Sequence, residues 1–279
     1  MRKLKFPDLN VKECIETCVL NLQDISKKQK YLETIPYFLE QEKVYIDYAQ
    51  NGQLNNIPSN VSIQNNITNL DMKKLYKSKF AHKGQPGYEL YNQIKSIPAN
   101  GICPLCGHRQ VSTIDHYLPQ SLYTSYILTP VNMIPACADC NKNKLDEASN
   151  SEDENFIHPY FDDIENIPWL DASLIEQEPP CLVYRVSTDL NISNTLKNRI
   201  KRQFIALKLS ELYSIMAAEV ISGLKYHLNK IAMTEGTDGV RRYLNEHYES
   251  YKEYHVNSWQ TVAYKTLANN DWFCNKKSY

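Results

Sequence analysis

Apolar residues recur at helical spacing in the N-terminal third of the chain. The first series follows Asp8 and Asn10, either of which can cap a helix, and its members are Val11, Cys14, Ile15, Cys18, Val19, Leu22 and Ile25. A second helical stretch runs from about residue 29 to 48, and Pro36 is expected to kink or split it. A third helix is predicted over residues 69–80.

The same period returns in the C-terminal half. Apolar residues from Thr195 onward predict one helix of about thirty residues. Two further helices are predicted over residues 238–254 and 257–272. Before them, segment 156–180 is punctuated by prolines and is predicted to be irregular, whereas residues 181–186 (CLVYRV) are a strand candidate.

The stretch 101–144 between these regions has a different pattern. A short β-branched run, 111–114, ends at Asp115-His116, and a loop leads to a second short strand over 130–135. A helix is predicted to begin at Cys137. The order is therefore strand, loop, strand, helix.

Together these patterns predict an α+β protein that is mostly helical. We expect an N-terminal helical region (1–97), a small metal-bound centre (98–160), and a C-terminal region with an acidic loop, a short strand and helices (161–279). A chain of 279 residues is long enough for one large or two modest domains. Both helical regions are expected to pack against the centre.

Composition and charge limit the compartment and the binding partners that we expect for this protein. No apolar run approaches the roughly 18 residues that a membrane helix needs, and the N-terminus lacks the apolar segment of a secretory signal, so we expect a cytoplasmic protein without a membrane partner. The formal net charge is −1, which is unfavourable for nucleic-acid binding. The charge is uneven, however: residues 73–83 hold five lysines and no acid, and residues 151–180 hold nine acids and no Lys or Arg.

Four of the eight cysteines form two Cys-x-x-Cys pairs separated by thirty residues, namely Cys103, Cys106, Cys137 and Cys140. Without an export signal, such pairs favour metal thiolates over disulfides, and the expected metal is a structural Zn²⁺. Gly107 suits the tight turn that makes the first two thiolates converge. A redox or core role is the alternative. Cys14 and Cys18 lie one helical turn apart and are predicted to be core residues.

Other candidate residues lie inside or next to this pair of motifs. Asp115 and His116 fall between the cysteine pairs, Asn132 precedes the second pair, and Asn141 follows the last cysteine directly. With these residues in place, the stretch resembles the ββα-metal nuclease centre of the HNH endonuclease superfamily. It is most similar to the branch in which two Cys-x-x-Cys pairs bind a structural zinc.

The resemblance implies a role for each of these residues. His116 is implied to be the general base, and Asp115 and Asn141 the ligands of a catalytic divalent metal. Asn132 is implied to hold the loop that orients the base. Many members of the superfamily have His where this chain has Asn141, and an amide oxygen suits a hard cation better than imidazole does. The expected catalytic metal is therefore Mg²⁺ or Mn²⁺.

The implied function is a metal-dependent endonuclease that hydrolyses phosphodiester bonds in DNA, with RNA as the other candidate substrate. Nucleases of this size and layout often belong to anti-phage or mobile-element systems, which implies a role in antiviral defence and an ATPase or another defence-system protein as partner. The alternative is a zinc-ribbon module that binds nucleic acid or protein and has an inactive nuclease centre.

Two further positions have open interpretations. His158, in the aromatic segment 156–161 (FIHPYF), either completes the active site or contacts DNA, or is a packed loop residue. Lys142 and Lys144 either form a solvated helix face or lie along the path of a bound phosphate backbone.

Overall fold

The computed structural model describes residues 1–144, 149–276 and 279. It divides into two compact units, Arg2–Asp162 and Asp163–Tyr279, the latter together with Met1. Both units are mostly helical with small antiparallel sheets, so the predicted mostly helical α+β class is confirmed. Of the helices in these described ranges, none is both long and apolar enough to cross a membrane.

The first unit opens with three helices, α1 (Val11–Val19), α2 (Ile25–Glu33) and α3 (Ile35–Gln50). Asn10 caps α1 through a capping box, because its side chain accepts from the Glu13 backbone N–H and the Glu13 carboxylate accepts from the Asn10 backbone N–H. Thr34 separates α2 from α3, and Pro36 lies in the first turn of α3. The predicted split at this proline is therefore confirmed.

A short hairpin and two helices follow. The hairpin consists of β1 (Ser62–Ile63) and β2 (Ile67–Thr68), and α4 (Asn69–Leu75) continues into a π-helical turn over Tyr76–Phe80 before α5 (Tyr88–Lys95) begins. Gly87 lets these elements approach closely. A Cβ atom at this position would lie 2.8 Å from the Lys79 carbonyl oxygen and 3.0 Å from Cys18 Sγ, so the packing here requires a glycine.

The central hairpin is formed by β3 (Thr113–His116) and β4 (Met133–Ala136), and α6 (Ala138–Asn143) follows it directly. The strands are antiparallel, with Asp115 opposite Ile134. One apolar core joins this hairpin to the preceding helices. Its buried members are Val11, Cys14, Ile15, Cys18, Val19, Tyr31, Ile35, Phe38, Ile67, Met72, Leu75, Phe80, Ile94, Ile114, Ile127, Leu128 and Met133. The N-terminal helices and the central hairpin thus belong to one unit, and the predicted core role of Cys14 and Cys18 is confirmed.

Glu42 is a carboxylic acid placed among these apolar residues. It is 8% exposed, and its carboxylate accepts a hydrogen bond from the Val11 backbone N–H at 3.3 Å. Burial disfavours the ionised form and raises the pKa of Glu42 from 4.5 to about 7. The single backbone donor offsets only part of that penalty.

We expect the free energy of unfolding to fall as the pH rises from about 4.5 to 7, because the unfolded chain releases this proton before the folded chain does. The shift corresponds to about 3 kcal/mol. Glu42→Gln should therefore gain stability relative to wild type between pH 5 and pH 8, as measured by urea denaturation. Glu40→Gln, on the exposed face of the same helix, is the control and should follow the wild-type pH dependence. Parallel curves for Glu42→Gln and wild type would contradict the assignment.

The described residues of the second unit, 163–276 and 279, form a two-stranded sheet and four helices. The strands are β5 (Leu170–Ile175) and β6 (Cys181–Val186), and the helices are α7 (Asn194–Ala206), α8 (Leu209–Tyr254), α9 (Trp259–Ala268) and α10 (Asp271–Cys274). Strand β6 was predicted, but its antiparallel partner lies in the segment predicted to be irregular. That prediction is wrong for β5, where buried Leu170 and Ala172 alternate with more accessible Asp171 and Ser173. This alternating run is too short to be recognised between the flanking prolines.

The prediction of a single helix of about thirty residues from Thr195 is also wrong. The helix ends at Ala206, Lys208 adopts a left-handed conformation with φ of 52°, and α8 then begins. Within α8, Gly236 has φ of 64° and ψ of −160°, and the chain reverses there. The rings of His227 and Tyr243 consequently lie 4.7 Å apart, although a straight helix would separate them by about 24 Å. The helix predicted over 238–254 is the second arm of this hairpin.

Candidate metal centre and active site

The four paired cysteines converge in a single buried cluster. The Sγ atoms of Cys103, Cys106, Cys137 and Cys140 all lie within 4.8 Å of one another. Two of the sulfurs accept backbone hydrogen bonds at 3.4 Å: Cys106 Sγ accepts from the Arg109 N–H, and Cys137 Sγ, at the N-cap of α6, accepts from the Cys140 N–H. Gly107 in the first turn has φ of 63°, which a glycine adopts without strain.

This cluster fits a tetrahedral metal ion. Zinc binds sulfur at about 2.3 Å, which places the sulfurs of a tetrahedron about 3.8 Å apart. Hydrogen bonds among the thiols lower the pKa of Cys106 and raise the pKa of Cys140. Four thiolates this close would repel one another unless a cation lay among them. The four cysteines can therefore hold a structural zinc, which agrees with the expected cofactor.

The structure places Asp115, His116 and Asn141 around one small cavity. The cavity has a volume of about 210 Å³, and its other lining residues are Lys73, Ile114 and Gln120. Asp115 and His116 are the last two residues of β3, and Asn141 is in the first turns of α6. Strand and helix meet here because Cys137 and Cys140, at the start of α6, share the cluster with the cysteines that precede β3. A carboxylate side chain and an amide side chain therefore line the same cavity.

His116 is held in a defined tautomer. Its ring is 6% exposed, and Nε2 lies 2.9 Å from the Ile127 carbonyl oxygen. A carbonyl only accepts, so Nε2 carries the proton in the neutral ring and Nδ1 is the accepting nitrogen. The Gln120 side-chain amide donates to Nδ1 at 3.0 Å, and the ring of Tyr76 packs edge-on against the imidazole at 4.9 Å. The imidazole can therefore accept a proton at Nδ1.

Asn132 is fully buried and binds both ends of the loop that connects β3 to β4. Its Oδ1 accepts from the Leu118 backbone N–H at 2.7 Å, and its Nδ2 donates to the carbonyl oxygens of Leu118 and Tyr126 at 3.2 and 3.0 Å. Because Ile127, the partner of His116, lies in the same loop, this side chain helps to hold the imidazole in place.

His158 lies away from the cavity. It is 2% exposed and stacks on the Tyr117 ring at 4.3 Å. Its Nδ1 accepts from the Tyr160 backbone N–H, so its Nε2 donates to the Tyr45 hydroxyl at 3.0 Å, and that hydroxyl donates to Asn132 Oδ1 at 3.2 Å. His158 is thus a packed loop residue that supports Asn132 through one intervening tyrosine.

Sequence reasoning gave no role to Gln120 and did not recognise the position of Lys144. The Lys144 ammonium lies 3.0 Å from Asp115 Oδ2, and both side chains are about one-tenth exposed. Lys142, two residues earlier, is exposed. Lys142 thus lies on a solvated part of this helix, whereas Lys144 is directed towards Asp115. Lys73, a member of the predicted basic segment, reaches the cavity from α4.

The chain is similar to Protein ea31 of Escherichia phage lambda, with 26% identity over 293 aligned positions that cover 98% of this chain and 99% of that protein. The similarity therefore extends through both compact units. No family model and no solved structure matches the chain.

Proposed function

We propose that this protein is a metal-dependent endonuclease with a ββα-metal centre of the HNH type, formed by β3, β4 and α6. The observation that carries the proposal is the shared cavity, which is lined by the carboxylate of Asp115, the amide of Asn141 and the imidazole of His116, whose Nε2 is bound to a backbone carbonyl. Hydrolysis of a phosphodiester requires a base for the attacking water and a cation at the phosphate. The cavity supplies the groups for both.

Each residue of the proposed site has its own role in the hydrolysis. His116 Nδ1 takes the proton from the attacking water, and the Ile127 carbonyl then stabilises the imidazolium through its bond to Nε2. Asp115 and Asn141 would hold a divalent cation, which supplies charge stabilisation at the phosphate and at the departing oxygen. Asn132 and the Tyr45–His158 pair hold the loop that carries Ile127.

Nucleic acid is the proposed substrate because the cavity opens next to positive charge. Lys73 lines the cavity itself, and Lys74 and Lys77 are exposed on the same helical segment. Lysines in this position attract phosphate groups. DNA is the preferred substrate of the proposal, and RNA is the alternative. Similarity to a phage protein favours a mobile-element setting, and the ATPase or other defence-system partner stays a prediction.

The proposal predicts nicking of supercoiled plasmid that depends on added Mg²⁺ or Mn²⁺ and is lost in Asp115→Asn. The wild type and the variant should contain the same amount of zinc, because Asp115 is not part of the cysteine cluster. Parallel assays on single-stranded DNA and on RNA would establish the substrate. Binding of nucleic acid with no cleavage by either protein would instead support the zinc-ribbon module.

A further inference from the structure

Lys144 forms a buried ion pair with Asp115, one of the two proposed metal ligands. Its Nζ lies 3.0 Å from Asp115 Oδ2, and the two side chains are 9% and 11% exposed. Charged groups this far from water strongly prefer an opposite charge nearby. The ion pair therefore satisfies the carboxylate that a divalent cation would need.

The ammonium is also fixed in place by the backbone of the hairpin. It donates to the His116 carbonyl oxygen at 2.6 Å and to the Tyr117 carbonyl oxygen at 3.1 Å, and it lies 5.7 Å from the centre of the Tyr117 ring. An ammonium has three N–H donors, and three oxygens surround this one. Lys144 is thus held next to Asp115, which lines the cavity, and its ammonium is largely shielded from solvent.

A divalent cation on Asp115 would lie close to this ammonium, and the two positive charges would compete for one carboxylate. A phosphodiester entering the cavity changes this balance, because its negatively charged oxygens offer the ammonium another partner. Asp115 is then available to the cation.

We propose that Lys144 is an internal counter-ion of Asp115 that couples the two ligands of this site, so that a divalent cation binds weakly alone and tightly together with the phosphodiester. This inference rests on the function proposed above. Coupling of this kind is reciprocal: DNA raises the affinity for the cation by the same factor by which the cation raises the affinity for DNA. The site would therefore assemble only on its substrate.

The test measures Mn²⁺ affinity by electron paramagnetic resonance in a His116→Ala background, where DNA stays intact, with and without a short duplex. We expect the duplex to tighten Mn²⁺ binding about tenfold or more, an effect of at least 1.4 kcal/mol. Adding Lys144→Gln should tighten Mn²⁺ binding by a similar factor without DNA and should remove most of the response to DNA. Lys142→Gln removes an exposed charge from the same helix and should leave both affinities close to those of the reference protein.

The outcomes separate the two proposals. If Asp115→Asn leaves Mn²⁺ affinity unchanged, the metal site itself is wrong and the proposed function fails with it. If Asp115→Asn abolishes Mn²⁺ binding but Lys144→Gln has no effect, only the role of Lys144 is overturned. Zinc content and thermal melting report whether Lys144→Gln is folded. The effect of DNA on Mn²⁺ affinity is measured in the His116→Ala protein, in which Lys144 is unchanged. If DNA does not tighten Mn²⁺ binding in that protein, the proposed coupling is overturned.

Discussion

We expect Cys140→Ser to abolish the binding of a structural zinc and to unfold the hairpin of β3 and β4 together with α6. All four sulfurs lie within 4.8 Å of one another in a buried cluster, so the loss of one thiolate leaves the others without a complete tetrahedron. Structural zinc sites contribute on the order of 10 kcal/mol, which is comparable to the whole stability of a typical domain. Elemental analysis should show the loss of about one zinc per chain, and thermal denaturation should show a lower or absent transition for the unit that contains residues 2–162.

Cys181→Ser is the matched control for this experiment. Cys181 lies at the start of β6, is half-buried and does not belong to the cluster, so the substitution should preserve both zinc content and melting. A Cys140→Ser protein with unchanged zinc content would show that the cysteines are ordinary core residues. The geometry that brings Asn141 to the same cavity as Asp115 would then need another explanation.

His116→Ala is expected to lower the rate of cleavage by about 10² to 10⁴, the usual contribution of a general base. The variant should still bind zinc and DNA, because the imidazole contacts neither the cysteine cluster nor the basic helical segment through its hydrogen bonds. Single-turnover cleavage of a labelled duplex with Mg²⁺ measures the effect. His227→Ala, at an exposed position of α8, is the control. Cleavage by His116→Ala within about threefold of wild type would rule out the proposed base.

The elements that rest on local sequence were predictable. Asn10 caps α1, Pro36 splits α2 from α3, and the two Cys-x-x-Cys turns form as expected. Each of these features is decided by residues a few positions apart, through side-chain caps, a missing N–H or a tight turn. The sequence also predicted that Asp115 and Asn141 lie near each other, because Asp115 falls between the cysteine pairs and Asn141 follows the last cysteine directly.

The features that were missed depend on contacts between distant parts of the chain. Lys144 lies 29 positions after Asp115, and its spacing in α6 does not distinguish a solvated lysine from a buried one. Strand β5 is stable because β6 pairs with it along its whole length, whereas its own sequence is short and flanked by prolines. The break at Lys208 is hidden because buried leucines on both sides, Leu207 and Leu209, continue the apolar period across it.

The reversal of α8 at Gly236 requires a residue whose side chain is a hydrogen atom. Its φ of 64° and ψ of −160° belong to a region that is essentially closed to residues with a side chain. Without the reversal, the 46 residues of α8 would form a rod of about 69 Å. Each arm would then pack against the complementary arm of a second molecule. This exchange produces domain-swapped dimers. The packing of this helical hairpin within one molecule thus depends on a residue that has no side chain.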